Sequence, residues 1–178
     1  LAAADGEGNM VSFIQSNYIG FGSGIVVPGT GISLQNRGYI FSLDPNHVNS
    51  LEPGKKTFHT IIPGFLTKGG VPVGPFGVMG DYMQPQGHVQ LLNRLIDQGF
   101  HPQAGLDAPR WRWREGLSIE IEPRFPLEIA QALLDRGHRV NVSLQVKDFG
   151  RGQAIWRTDQ GVYIGGSDSR ADGIVAAW

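Results

Sequence analysis

The stretch Leu1–Gly38 constrains this chain more than any other. Two short β-prone runs, Leu1–Ala4 and Met10–Asn17, flank DGEGN, a cluster of turn-forming residues. The spacing predicts a hairpin. Behind it comes FGSGIVVPGTG, a loop too rich in glycine to continue as a strand or turn into a helix. The first Met is Met10, inside the second expected strand. A chain that opens mid-strand is expected to have been cut from a longer one, by autoprocessing or proteolysis.

Beyond the loop the period changes twice. Ile32–Gln35 reads as a short strand, and Ser42–Lys56, with Pro45 and Pro53, as a polar surface excursion. Phe58–Thr67 and Val71–Met79 read as strands joined at KGG. From Gln86, Val89, Leu91, Leu92, Leu95 and Ile96 recur at helical spacing until Gly99. LSIEI (Leu117–Ile121) alternates as a half-buried strand does, and Pro126 opens a second helix that ends near Gly137. Val140–Leu144, Ala154–Arg157 and Gly161–Ile164 follow as strands. Two helices among seven or eight strands predict a layered α+β fold in a single domain, residues 1–178, with both helices on one sheet face.

Composition removes several classes. Lys+Arg 15 against Asp+Glu 16 gives a net charge of −1, without the basic stripe of a nucleic-acid binder. WRWRE (Trp111–Glu115) is the most basic and aromatic segment, and is read as a strand with packed indoles and exposed Arg stems. No apolar run approaches the roughly 20 residues of a membrane helix. The absence of Cys excludes disulfides, zinc-thiolate sites and Cys nucleophiles within the chain. The five His show no metal-ligand spacing, and no metal or cofactor is expected. GVYIGG with SDSR lacks the Lys-Ser/Thr ending of a phosphate loop. His88, which heads the first helix in QPQGH, has a capping or packing role at least as readily as a functional one.

Six segments occur in order: DGEGNMVSFIQSN, FGSGIVVPGTGISLQNRG, FHTIIP, MGDYMQPQGH, APR and SDSRADG. Together they resemble the small, C-terminal subunit of the gamma-glutamyltransferase family, in an atypical form nearer its oxamate amidohydrolase and acylase-like branch. The resemblance covers nearly the whole chain. It implies an N-terminal-nucleophile hydrolase with a four-layer αββα sandwich, of which this chain is the small-subunit half. It also implies a precursor that cleaves itself ahead of a Thr. The hydroxyl of that Thr is the nucleophile and its new α-amine, which titrates near pH 8, the base. Position 1 is Leu, and none of Thr30, Thr57, Thr60, Thr67 or Thr158 lies near an N-terminus. The nucleophile is therefore expected a few residues upstream of Leu1.

The resemblance assigns roles to seven residues. Ser16 falls where the family carries a hydroxyl beside the nucleophile; from spacing alone it is a polar residue on the alternate strand face. Gly80 and Asp81 fall where paired glycines donate backbone N–H groups to the oxyanion, each worth about 3 kcal/mol. With Asp in the second place only the backbone role carries over, and the plain alternative is a strand-end turn. His59 and Thr60 stand where two serines hold a substrate carboxylate, or His59 is an ordinary strand histidine. Family members clasp the substrate α-ammonium with a Gln or Glu and an Asp after the glycine loop, and an Asn on the second strand. Here those places hold Arg37, Ile40 and Tyr18. Arg repels an ammonium, and Ile removes the counter-charge. The guanidinium fork suits a carboxylate, and Tyr18 adds a phenolic hydrogen bond. The plain alternatives are that Arg37 is a surface residue capping the Gly38 turn and Tyr18 a packed loop aromatic.

The expected reaction is hydrolysis of a small amide whose acyl group ends in carboxylate and lacks an α-amine, such as oxamate. The alternatives are a glutaryl or cephalosporin acylase, a conventional gamma-glutamyl transferase or hydrolase, and, in another class, an inactive binding or structural homologue. The partners expected are the large subunit of the same precursor, in a dimer of heterodimers, and a small amide substrate, with neither nucleic acid nor membrane. The expected compartment is the cytoplasm, with the periplasm or secretion as the alternative.

Overall fold

The structure, a computed structural model, describes residues 1–178. Its chain divides into two units, one made of Leu1–Phe13 with Ile62–Trp178, the other of Ile14–Ile61. The class is α+β, as expected.

The first unit opens with the predicted hairpin. Strand β1 (Ala2–Ala4) pairs antiparallel with β2 (Met10–Ser12), and the Asp5 carboxylate caps the turn by accepting from the backbone N–H of Glu7 and Asn9. β2 stops at Ser12, short of the expected Asn17. The last ladder bond runs from the Phe13 N–H to the Leu1 carbonyl. The Ser12 hydroxyl donates to the Phe76 carbonyl and ties the hairpin to the main sheet.

That sheet runs β3-β4-β8-β9, antiparallel throughout, with β3 at Gly64–Lys68, β4 at Val71–Met79, β8 at Arg151–Arg157 and β9 at Tyr163–Ser167. The KGG hairpin is present. Its first strand starts only at Gly64, because Pro63 interrupts the run expected from Phe58. At Gly74, a side chain would put its Cβ 1.8 Å from the Ile155 carbonyl oxygen, so β4 and β8 approach as closely as they do only through glycine.

Helix α1 (Met83–Leu92) begins one turn earlier than its apolar period suggested and continues as a π-turn over Asn93–Asp97 before Gly99 ends it at φ 68°. Helix α2 (Pro102–Asp107) was not foreseen. Too short to show a period, it starts with Pro at its first position, where no N–H is needed, and with His101 Nδ1 accepting from the Gln103 N–H. Phe76, Val78, Leu91, Leu95, Leu106 and Ala154 form the core between these helices and the sheet.

A second sheet, β5-β6-β7, combines β5 (Trp111–Glu115), β6 (Ser118–Ile121) and β7 (Arg139–Val142). β6 and β7 run parallel, so the chain between them must cross over, and helix α3 (Leu127–Asp135) makes the crossing. α3 packs on Ile119, Ile121 and Phe125, not on the main sheet. The two expected helices thus serve two sheets, and the shared face read from the sequence is corrected. β5 is an edge strand whose backbone is satisfied by glutamines of α1. Gln90 exchanges two hydrogen bonds with the backbone of Trp111 (3.0 and 2.9 Å), and Gln86 two with that of Trp113 (2.7 and 3.3 Å). Four residues of helix and two of strand each advance about 6 Å, so the two ladders match.

The second unit, Ile14–Ile61, holds no regular strand. It has two isolated bridges (Val26 with Ser33, Ser42 with Ser50) and one 3₁₀ turn at Arg37–Ile40. The strand expected at Ile32–Gln35 is reduced to the first bridge. Side-chain amides replace the missing ladders. Asn36 accepts from the Ile19 N–H and donates to the carbonyls of Ile19 and Gly22, while Asn49 joins Ile40 to Phe58.

Candidate active site

Five of the seven sequence-predicted site residues lie in the loop-built unit. Ser16 is exposed and off the strand on which it was expected; its hydroxyl oxygen accepts from the Tyr18 N–H at 2.9 Å. This serine turn holds Tyr18 at φ 77°, a left-handed conformation costly for a bulky side chain. Tyr18 in turn underlies Arg37, whose guanidinium carbon sits 5.1 Å from the ring centroid. The Arg37 backbone N–H bonds the Gln35 side-chain oxygen. Its side chain is half-buried, and the Nη1 atom is buried with no hydrogen-bond partner. An unsatisfied guanidinium N–H is costly, and a planar anion would satisfy it. Ser16, Tyr18 and Arg37 therefore form one local assembly. Ile40 closes the same 3₁₀ turn.

His59 and Thr60 are in an extended segment of the same unit. His59 is exposed, and its Nδ1 accepts from the Ile61 N–H at 3.2 Å. In the neutral ring the proton then sits on Nε2, which is left as a donor. Thr60 is buried.

Gly80 and Asp81 belong to the first unit, at the tight turn between β4 and α1. Gly80 has φ 151° and Asp81 φ 53°. Tyr18 and Asp81 are the two non-glycine residues of the chain at positive φ, and both had been singled out from the sequence. Such strain collects at functional sites. The turn is locked from the helix side, where Gly80 and Asp81 carbonyls accept from the N–H groups of Met83 (2.9 Å) and Gln84 (3.0 Å). A groove of about 990 Å³ opens beside it, lined by Gly80, Asp81, Tyr82, Trp111, Trp113 and Glu115.

The residues around this turn that sequence reasoning passed over are the ones in APR and SDSR. Arg110 is fully buried. Its guanidinium donates to the carbonyls of Phe149 and Gly150 (2.9 Å each) and Leu106 (3.1 Å), and to Asp168 (2.6 Å). Arg170 pairs with Glu122 and Asp168. Arg94 donates to the carbonyls of Gly105, Ala108 and Pro109. Burial, with the nearby charges of Arg110 and Arg170, lowers the Arg94 pKa to about 10, so it stays charged at neutral pH. The motifs were visible in the sequence; what they bind was not.

His88 is structural. It is buried on α1, lies 5.1 Å from the Phe76 ring edge-on, and accepts the Val78 N–H on Nε2 at 2.9 Å. In WRWRE, Arg112 pairs with Glu120 at 3.3 Å and Trp113 is half-exposed. No cluster of three His, Asp or Glu side chains is arranged to hold a metal, and no helix is long and apolar enough to cross a membrane.

Known proteins bear on this arrangement. The profile of the gamma-glutamyltranspeptidase family matches residues 1–178. A glutathione hydrolase-like proenzyme of Bacillus subtilis is 45% identical over 97% of this chain and 34% of its own length. An oxamate amidohydrolase proenzyme of Klebsiella pneumoniae is 39% identical over 100% of this chain and 35% of its own. Among solved structures, a cephalosporin acylase from Bacillus halodurans superposes with a TM-score of 0.94 at 65% identity, covering 99% of this chain and 33% of that one. The chain thus spans about a third of the length of these relatives. By sequence and by fold, the chain belongs to the gamma-glutamyltranspeptidase family.

Proposed function

We propose that this chain is the small subunit of an autoprocessed amidohydrolase whose acyl substrate carries a carboxylate and no α-amine, oxamate being the simplest case. The observation that carries the reading is the Tyr18–Arg37 pair, with its buried, unpartnered Nη1. A cation in the place of the family's ammonium clasp repels a gamma-glutamyl group and attracts a carboxylate. His59, donating from Nε2, and Thr60 suit the same anion.

The chemistry follows from the N-terminal-nucleophile scheme. The Thr hydroxyl, upstream of Leu1 in the precursor, attacks the amide carbonyl and gives its proton to the α-amine of the same residue. The oxyanion so formed takes hydrogen bonds from the backbone at Gly80 and Asp81. The C–N bond breaks, the amine leaves with the proton, and water hydrolyses the Thr ester to the free carboxylate. Ser16 tunes this site through Tyr18, whose strained backbone it holds. The large subunit is the remaining two-thirds or so of the precursor, a share consistent with the proenzyme relatives.

A second reading is an acylase with a larger leaving amine. The 65% identical structure bears the name cephalosporin acylase, and the groove beside the Gly80–Asp81 turn has room for a bicyclic amine. The test assays processed full-length enzyme on oxamate, a glutaryl amide and a gamma-glutamyl anilide, beside the double variant Arg37→Gln, Ile40→Asp. The wild type should release amine from the first or second substrate and spare the third. The double variant should lose about 100-fold in kcat/KM on the carboxylate amide and gain on the gamma-glutamyl donor, the effect of one charge-assisted bidentate contact. Unchanged preferences would place Arg37 outside the site and end this reading.

A further inference from the structure

The Gly80–Asp81 turn does not stand alone. A Cβ placed on Gly80 would lie 3.0 Å from the Cα of Gly150 and 3.5 Å from its nitrogen, so these two glycine backbones are in direct contact. Gly150 is itself constrained. It sits at φ 78°, and a Cβ on it would lie 2.7 Å from Val78 Cγ1 and 2.9 Å from the carbonyl oxygen of Met79, the residue just before Gly80. Any displacement of residue 150 is therefore passed to the end of β4 and to the turn.

What fixes residue 150 is Arg110. One guanidinium nitrogen bonds the carbonyls of Phe149 and Gly150 together, and the other bonds Asp168 and the Leu106 carbonyl. Asp168 is also buried, and the same oxygen that receives Arg110 accepts the Gly152 N–H at 2.9 Å. Asp168 thus aligns the guanidinium and anchors β8 two residues beyond Gly150. A planar fork with fixed donors suits this task, as an ammonium on a flexible stem does not.

We propose that Arg110, aligned by Asp168, is a positioning residue for the Gly80–Asp81 turn and acts on it through the backbone of Gly150. The proposal rests on the reading that this turn binds the oxyanion. Arg110 touches no substrate. It sets where the turn's N–H groups lie when negative charge develops on the carbonyl oxygen. An interaction of that kind is felt in the transition state and not in the ground state, so its loss lowers kcat and leaves KM in place.

The test uses the processed full-length enzyme and its best amide substrate. Gly150→Ala should lower kcat about 100-fold and Arg110→Lys about tenfold, with KM within about twofold, as expected for donors moved by up to an ångström. A tetrahedral phosphonate mimic of the substrate should bind more weakly by the same factor as the loss in kcat/KM, while the product carboxylate binds as before. Should Gly150→Ala not fold, Asp168→Asn carries the test, since it keeps the volume and an acceptor for Arg110 while removing the charge. A purely structural role would lower Tm and the folded fraction yet leave kcat per folded enzyme and phosphonate affinity unchanged, and that result would overturn the proposal. Gly80→Ala separates the two layers. If it leaves kcat intact, the oxyanion reading itself fails. If it lowers kcat while Gly150→Ala and Arg110→Lys do not, only the role of Arg110 falls.

Discussion

His88 shows how a residue conspicuous in the sequence can be spent on structure. Its Nε2 must be unprotonated to accept the Val78 N–H, and burial lowers its pKa below the usual 6.5. The folded state therefore prefers the neutral ring. The stability it contributes is fully present above about pH 6.5 and is lost as pH falls below that value towards the folded pKa. Melts of the full-length protein at pH 7.5 and 5.5 should show a fall in Tm that is smaller in His88→Gln. That variant should start lower at pH 7.5 by about 1–3 kcal/mol, because the Val78 N–H loses its fitted acceptor. An equal pH response in both proteins would assign the effect to other groups. Arg37 and Tyr18 are the opposite case. Their identities departed from the family pattern, and the structure brings them into one stack with an open donor. Ser16 is expected as a strand hydroxyl, and its place is instead the turn that holds Tyr18, beyond the end of β2.

At the scale of elements, regular period was legible and irregular support was not. The apolar spacing of Leu91, Leu92 and Leu95 marked α1, and the alternation of LSIEI marked β6. α2, six residues long, carried no period to read. Nor did the parallel pairing of β6 with β7, since side-chain alternation is the same whichever way a neighbour runs. The glutamine ladder between α1 and β5 is a further case. Gln86 and Gln90 carry no apolar period, yet they complete the edge strand. Gln90→Leu leaves the Trp111 N–H and carbonyl without their partner and should cost about 1–3 kcal/mol, read as a lowered midpoint in urea. A midpoint within error of wild type would mean that water satisfies β5 as well as the glutamine does.

For the molecule as a whole, the unit Ile14–Ile61 raises the question of what makes it fold. Its buried residues are Ser50 and Thr60, and it contributes no side chain to either apolar core. Phe21, Leu43, Val48 and Tyr39 are each at least 80% exposed, far more apolar surface than a free-standing protein usually shows. The chain also spans about a third of its relatives' length. Under the function proposed above, the large subunit of the precursor is the cover for that surface. Residues 1–178 expressed alone should aggregate or bind a hydrophobic dye, and the same chain produced from the full-length precursor should stay soluble. A monodisperse, dye-silent chain on its own would show that the surface needs no cover.

What the sequence by itself determined is local. The Asp-Gly turn and its flanking runs specify the hairpin, and apolar period specifies α1, α3 and β6, while the places of Arg37 and Tyr18 at a substrate clasp are what the family resemblance implies. Only the tertiary structure decided that Arg110 meets Asp168, 58 residues away, and that Gly150 rests on Gly80. The physical reason is that periodicity and turn chemistry report forces between near neighbours in the chain. A buried ion pair or a glycine–glycine contact exists only once the sheet has brought distant segments together. The motifs APR and SDSR were visible as words, and the fold joined them into one network.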